Sequence, residues 1–364
     1  MKKHLIAAAV AAAVAVPAMA QVTVSGRIDA GYSMTSATTA AGVKTDTDLI
    51  TTGVFTTQRL TFTGSEDLGG GLKASFVMES AIAQNTALTF GDRAFNATLS
   101  GGFGSLLIGR IDSMTKSVYD AFDAGYSNNL VGSVDALDAA TNTTSRRDVT
   151  IRYTTPSFSG LTASIGLMKN SVDASTASNT VEDNTGEEFG LRYAAGPFNA
   201  ALAYRNVDID TAAVAAVPST CNATGTFTSP NGCTLGSAAV AATKTENKDL
   251  GLGLSYNFGP VVAFGQYFDN ESTNKVSGVK TDEKFYAIGV RVPLGATTVF
   301  ASYVDGESKT GATKFDREGY QLGVKYDFSK RTYAYLAYGD QESDAANNTK
   351  AKSDQTAFGI VHLF

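Results

Sequence analysis

The chain reads as an all-β protein, a closed antiparallel transmembrane β-barrel of sixteen strands. Three observations lead there. An export-type N-terminus is followed by no apolar run long enough for a spanning helix; segments of about ten residues alternate between apolar and polar along the whole chain; and their connections alternate between tight turns and long polar loops.

Residues 1–20 carry a basic start at Lys2 and Lys3, an apolar run from Leu5 to Val16, and Ala18-Met19-Ala20 in the form cut by signal peptidase. Cleavage there leaves 21–364 as a single barrel domain. The other reading, an N-terminal membrane helix, needs about 20 apolar residues, more than the run supplies. Beyond it no helix-length apolar run exists, so an exported chain is either soluble or a closed barrel.

Composition favours the barrel: 36 Gly, 15 Tyr and 20 Phe with only 7 Pro and no Trp describe many short strands with aromatic flanks. A mean hydropathy close to zero fits strands that average a lipid face with a wet one. Without Lys2 and Lys3, the 27 remaining basic residues stand against 35 acidic ones, a formal charge of −8 that argues against nucleic acid as partner. Cys221 and Cys233 lie in one polar stretch, where an oxidising compartment favours a disulfide worth about 3 kcal/mol in the chain-entropy model; two free thiols are the other reading. No Cys/His metal spacing occurs, and no cofactor or metal is expected.

Strands are expected near 22–33, 54–64, 72–83, 93–101, 105–110, 146–154, 161–169, 187–195, 197–206, 248–257, 261–270, 283–292, 297–305, 318–328, 331–340 and 354–364. In the tenth, Leu250, Leu252, Leu254 and Tyr256 oppose Asp249, Gly251, Gly253 and Ser255. In the fourteenth, Tyr320, Leu322, Val324 and Tyr326 oppose Gln321, Gly323 and Lys325. Thr356, Phe358, Ile360, His362 and Phe364 share one face of the last, as in the closing strand of a membrane barrel. An even count puts both termini on the short-turn rim, and a count of eighteen would need a hairpin within 207–247. Soluble sandwiches also alternate; the asymmetry of short and long connections points to the membrane. Sixteen strands leave an aqueous lumen, so a hole is the default function.

The loop 111–145, after the fifth strand, differs from the other long loops. It carries Asp112, Asp120, Asp123, Asp135 and Asp138 against Lys116, and also Tyr119, Phe122 and Tyr126, apolar enough to pack. It either folds into the lumen or lies outside as one more surface loop.

Several stretches resemble the Gram-negative general porins of beta-proteobacteria: GSEDLGGGLKA from Gly64 to Ala74 after Arg59-Leu60-Thr61-Phe62-Thr63, GGFGSLLIGR from Gly101 to Arg110, YDAFD from Tyr119 to Asp123, RYTTPSFSGL from Arg152 to Leu161, SKRTYAY from Ser329 to Tyr335, and the terminal VHLF. The resemblance covers nearly all of 21–364. It implies a sixteen-stranded homotrimer among outer-membrane lipids of the Gram-negative cell, its third long loop folded inward as an eyelet that passes small hydrophilic solutes and inorganic ions. It also implies wall bases at Arg59, Arg93, Arg146 and Arg152, facing Asp112, Lys116, Asp120 and Asp123 of the loop. Parity agrees for Arg59, Arg146 and Arg152; the strand of Arg93 does not alternate cleanly. Val149 and Leu363 depart from the family pattern, the first at a position that bears on loop anchoring.

Guanidiniums keep their charge at every pH and offer planar donor arrays to a diffusing anion. Inward parity gives wall bases Arg27, Arg59, Lys73, Arg146, Arg152, Arg192, Arg205, Arg291 and Lys325 against acids Asp29, Glu79, Asp148, Asp249 and Asp327, an excess that favours anions. The competing reading is that several of these arginines pair with the acids and only hold the barrel's shape. A channel specific for organic acids or sugars would want an aromatic track, yet most tyrosines face outward. An enzyme is disfavoured because His362, the one histidine beyond residue 20, shares the lipid-facing parity of Phe358 and Phe364. An adhesive barrel would conduct little.

Overall fold

The computed structural model describes residues 21–83, 87–134, 147–171, 182–211, 220–221, 233–234, 243–344 and 349–364. The expected signal segment 1–20, Asp135, Asp138 and Arg146 lie outside them, as do the side chains of Cys221 and Cys233 and hence the expected disulfide.

The strands are β1 (Gln21–Thr38), β2 (Lys44–Thr52), β3 (Arg59–Gly69), β4 (Leu72–Ala81), β5 (Ala94–Gly101), β6 (Gly104–Ile111), β7 (Arg147–Thr154), β8 (Leu161–Ser171), β9 (Glu182–Ala195) and β10 (Phe198–Thr211). A two-residue ladder, β11 (Thr220–Cys221) with β12 (Cys233–Thr234), stands apart from the main sheet. Then come β13 (Thr243–Asn257), β14 (Val262–Asn274), β15 (Lys280–Leu294), β16 (Thr297–Thr310), β17 (Thr313–Asp327), β18 (Thr332–Asp344) and β19 (Lys350–Leu363). The described residues hold one helix, α1 (Met114–Phe122).

Every barrel strand pairs antiparallel with its neighbours, and β1 closes the ring on β19 from Arg27↔Leu363 to Thr38↔Lys352. Gly26 and Phe364 exchange backbone hydrogen bonds of 3.0 and 3.1 Å at the seam. β2 and β3 share one place in the ring, pairing with the upper and lower halves of β1, so the barrel has sixteen strand positions. The second strand, expected to begin at 54, begins instead at Arg59: Gly53 turns the chain at φ +74° and the stretch 53–58 leaves the sheet, carrying Val54 and Phe55 into the interior. Apolar residues at 54 and 55 mimic a strand start but are buried on the wet side.

Most long-loop ends extend past the expected limits, as in β13, which starts at Thr243 rather than 248. The apolar alternation stops where the membrane does, while the hydrogen-bonded ladder continues into water. Outward faces carry the exposed apolar residues, among them Leu252, Leu254, Ile288, Leu322 and Phe358. Inward faces carry buried Asp249, Phe268, Phe285, Phe300 and Gln321, so the core lies inside the ring, against the loop that follows β6.

Candidate functional site: the constriction

The loop that follows β6 enters the lumen, and its first part is a helix. Met114, Val118, Tyr119 and Phe122 recur at helical spacing and are buried, which gives α1 one apolar side. Ser113 caps it, its Oγ accepting from the N–H of Lys116 at 3.1 Å. The apolar side packs on Ala203, Phe268, Phe285 and Ala287 of the inner wall, with Tyr119 edge-on to Phe268 at 5.7 Å.

The seat for α1 is made of small residues. Gly190, Ala203 and Gly251 are register partners on β9, β10 and β13. A Cβ at Gly190 would meet the sulfur of Met114 at 2.8 Å, and one at Gly253 would meet the ring of Phe122 at 2.3 Å. Further along, a Cβ at Gly289 would stand 2.5 Å from that of Ala124, and one at Gly339 would stand 1.9 Å from the carbonyl oxygen of Val131.

Polar anchors fix both ends. Glu188 Oε2 accepts the first helical N–H, that of Met114, at 3.1 Å, and pairs with Arg152 at 2.9 Å; Arg152 also donates to the carbonyl of Asp112 at 2.8 Å. A carboxylate at a helix N-terminus is favoured by both the free N–H groups and the dipole. Arg291 donates to the carbonyls of Asp123 and Ala124 at 2.5 and 2.8 Å and lies 3.6 Å over the ring of Tyr126. Tyr126 and Ser127 take φ of 69° and 49°, a left-handed turn held by Asp123, whose two oxygens accept from Gly125 N–H and Ser127 N–H at 2.9 and 2.6 Å. Burial pushes the Asp123 carboxyl above its ordinary pKa, opposed by those two N–H groups. Past the turn, Gln321 exchanges hydrogen bonds with Asn128 at 2.8 and 2.9 Å and donates to the carbonyl of Val131, whose N–H reaches Gln355 at 2.9 Å.

Of the loop residues picked out in the sequence, Lys116 and Asp120 pair with each other on the less buried side of α1. Asp123 turns inward to shape its own turn, and Asp112 meets Arg152 through its backbone. On the far side of the ring, Arg59 and Arg93 both reach Glu79 Oε1, at 3.1 and 3.0 Å, and Thr61 donates to Oε2 at 3.2 Å. Arg27 is the register partner of Arg59 and donates to the carbonyl of Thr57 at 2.8 Å. Two guanidiniums thus share one carboxylate, with a third beside them.

The basic side chains therefore divide. Arg152 and Arg291 hold the loop; Arg205, fully buried, pairs with Asp249 at 2.6 Å; Arg27, Arg59 and Arg93 form the wall group. Sequence reading missed Glu188, Gln321, Gln355 and the glycine seat. Glu188 could have been found: it shares the inward parity of Arg192. The glutamines carry no charge to mark them, and only a pattern of inward glycines at Gly190, Gly251, Gly253 and Gly289 announces that something large must lie against them.

A sequence profile described as Gram-negative porin matches residues 7–346. An outer membrane porin protein of Bordetella pertussis is 30% identical over 396 residues, covering 100% of both chains. The major outer membrane protein P.IB of Neisseria meningitidis serogroup B is 34% identical over 171 residues, so this chain spans about half (49%) of that relative's length and 45% of its own. Among solved structures, an anion-selective porin from Comamonas acidovorans superposes with a TM-score of 0.69 at 22% identity, covering 95% of this chain and 100% of that one.

Proposed function

Since this chain belongs to the Gram-negative porin family, with its place in the outer membrane, we propose that it is a passive diffusion channel for small hydrophilic solutes and ions whose constriction prefers anions. The observation that carries the preference is the wall group: Arg59 and Arg93 on the carboxylate of Glu79, with Arg27 beside Arg59 and the nearby Asp29 buried and taken up by Phe55, Thr56 and Tyr335. Elsewhere on the wall Arg152 pairs with Glu188 and Arg205 with Asp249, and Arg291 is taken up by loop carbonyls and the Tyr126 ring. On the loop, Lys116 cancels Asp120.

The passage lies between the Lys116–Asp120 side of α1 and the three guanidiniums. No bond is made or broken in transit. A carboxylate or phosphate exchanges water for guanidinium N–H donors and is released, because Glu79 already occupies part of that donor array and keeps the site weak. A cation meets the same field as a barrier. The tyrosines of the loop offer no aromatic track, Tyr119 being buried and Tyr126 covered by Arg291.

The working unit is proposed to be a homotrimer, with neighbouring copies covering β4 to β6. Strands β5 and β6 are 8 residues long where β13, β15 and β17 have 15. Eight residues tilted in a barrel rise about 19 Å, short of the ~25 Å apolar band. The outer face of β4 to β6 presents Phe76, Phe95 and Ile108 around an open groove of about 480 Å³, an apolar surface at a place where the wall is too low to meet lipid alone. Planar-bilayer reversal potentials under a salt gradient, for the wild type and for Arg59→Ser with Arg93→Ser, test the channel and its sign together.

A further inference from the structure

The gap in the second strand position is built, not slack. Between the register pairs Arg27↔Arg59 and Ala30↔Thr52, six residues on one strand face two on the other. The six, 53–58, go into the lumen. What holds them there is Asp29: its Oδ2 accepts from the N–H of Phe55 at 2.6 Å and of Thr56 at 2.8 Å, and its Oδ1 accepts from the hydroxyl of Tyr335 at 2.9 Å. Its carbonyl accepts from Gly53 N–H at 3.0 Å. Asp29 and Phe55 are almost fully buried, and the ring of Phe55 stacks on that of Tyr335 at 4.7 Å. Two adjacent N–H groups that converge on one point need an acceptor with more than one lone pair, and one carboxylate oxygen, Oδ2, takes both.

The inward segment then grips the far end of the inserted loop. The carbonyl of Phe55 accepts from Asn129 N–H at 3.0 Å, and that of Gly53 accepts from Asn129 Nδ2 at 2.8 Å. Thr57 donates to Asn129 Oδ1 at 3.5 Å, and Arg27 donates to the carbonyl of Thr57. Leu130 packs into the same cluster as Val54, Phe55 and Phe300. The wall guanidiniums and the loop are thereby joined through 53–58.

We propose that Asp29 is a positioning residue for permeation: it holds 53–58 against the loop at Asn129, so that two inward segments bound the narrowest opening and fix the distance from Arg27 and Arg59 to the loop. The proposal rests on the reading of this chain as a conducting pore. The field of the guanidiniums is screened over about 8–10 Å at ordinary ionic strength, so selectivity follows that distance.

The test compares Asp29→Ala with Asp29→Asn in planar bilayers, using the refolded chain 21–364, whose barrel is checked by its heat-modifiable mobility on gels. The amide can present its oxygen to Phe55 and Thr56 and its NH₂ to the Tyr335 oxygen, so Asp29→Asn keeps the wild-type step size and quiet open level, with a reversal potential slightly more anionic. Asp29→Ala gives larger, noisier steps and a reversal potential displaced toward zero. Adding Thr57→Cys and Asn129→Cys under oxidation restores the quiet level, and reduction removes it. Asn129→Ala, which leaves Asp29 untouched, raises the noise as well and stands in should Asp29→Ala not fold. Wild-type noise and potential in both Asp29→Ala and Asn129→Ala overturn the proposal while leaving a pore; absence of conductance in the wild type instead removes the channel reading beneath it.

Discussion

Gly253 lies beneath the ring of Phe122, so close that a Cβ on the glycine would stand 2.3 Å from a ring carbon. The inserted loop is thus seated by the absence of side chains on the wall as much as by contacts. Gly253→Leu fills the seat, and overpacking of this kind costs about 1–3 kcal/mol. The strand itself tolerates Leu, because its neighbours Leu252 and Leu254 already show that the backbone accepts it. The barrel is therefore expected to fold with α1 displaced. Single-channel conductance rises and added protease cuts near α1 in the variant alone; wild-type conductance with a protected loop would count against the seat.

The same loss of one positive charge is expected to act differently at Arg59 and at Arg152. Arg59 stands in the wall group, and Arg59→Ser moves the reversal potential toward cations with the open level still quiet. Arg152 clamps Asp112 and Glu188. Removing it strands a carboxylate that is 1% exposed in its side chain, a loss of about 3–5 kcal/mol for a buried pair. Arg152→Ser therefore lowers the unfolding midpoint and makes the current noisy. Identical shifts of potential in the two variants, without added noise in Arg152→Ser, would merge the roles separated above.

How much of this was legible in the sequence follows from what a side-chain pattern can carry. Period two along Leu250 to Tyr256 gave β13 its faces, and parity alone put Arg59, Arg205 and Arg291 inside. It could not say which inward charges meet, because pairing depends on neighbours across strands: Glu188 opposite Arg205, and Arg205 opposite Asp249, are facts of register. Nor could it see the break at Gly53, because Val54 continues the apolar parity of Leu60 and Phe62 although it turns into the lumen with Phe55. α1 was invisible for a third reason. Nine residues are too few to form a stable helix alone, and its stability comes from the wall it lies on.

Asp123 gives the constriction a pH dependence of definite sign. Its carboxyl is buried in the turn that follows α1, and burial raises its pKa although Gly125 N–H and Ser127 N–H oppose the rise. The unfolded chain ionises this group near pH 4, whereas the folded chain holds its proton longer. The stabilisation is therefore complete below the unfolded value and is lost as pH rises through the folded one. Asp123→Asn has no such group, so the wild type loses stability relative to the variant as pH rises. Thermal midpoints of both proteins, measured across about pH 3 to pH 7, check it. A gap that is constant, or that widens in favour of the wild type as pH rises, contradicts the sign.

The low wall at β5 and β6 makes its own demand on assembly. Phe95 is 61% exposed in a single copy, beside Phe76 and Ile108, and the strands there are too short to place that surface wholly in hydrocarbon. In the trimer proposed above, this face meets another copy and a charge on it has no partner. Phe95→Glu is then expected to yield folded monomers in detergent, seen by light scattering coupled to size exclusion. Its conductance steps are expected singly where the wild type closes in threes. The pore of each monomer keeps the wild-type reversal potential, because Arg59, Arg93 and Glu79 stand on the inner face of the same wall. Should Phe95→Glu remain trimeric, the interface lies elsewhere on the barrel. A change of reversal potential with the trimer lost would mean that the wall group depends on the neighbouring copy for its geometry.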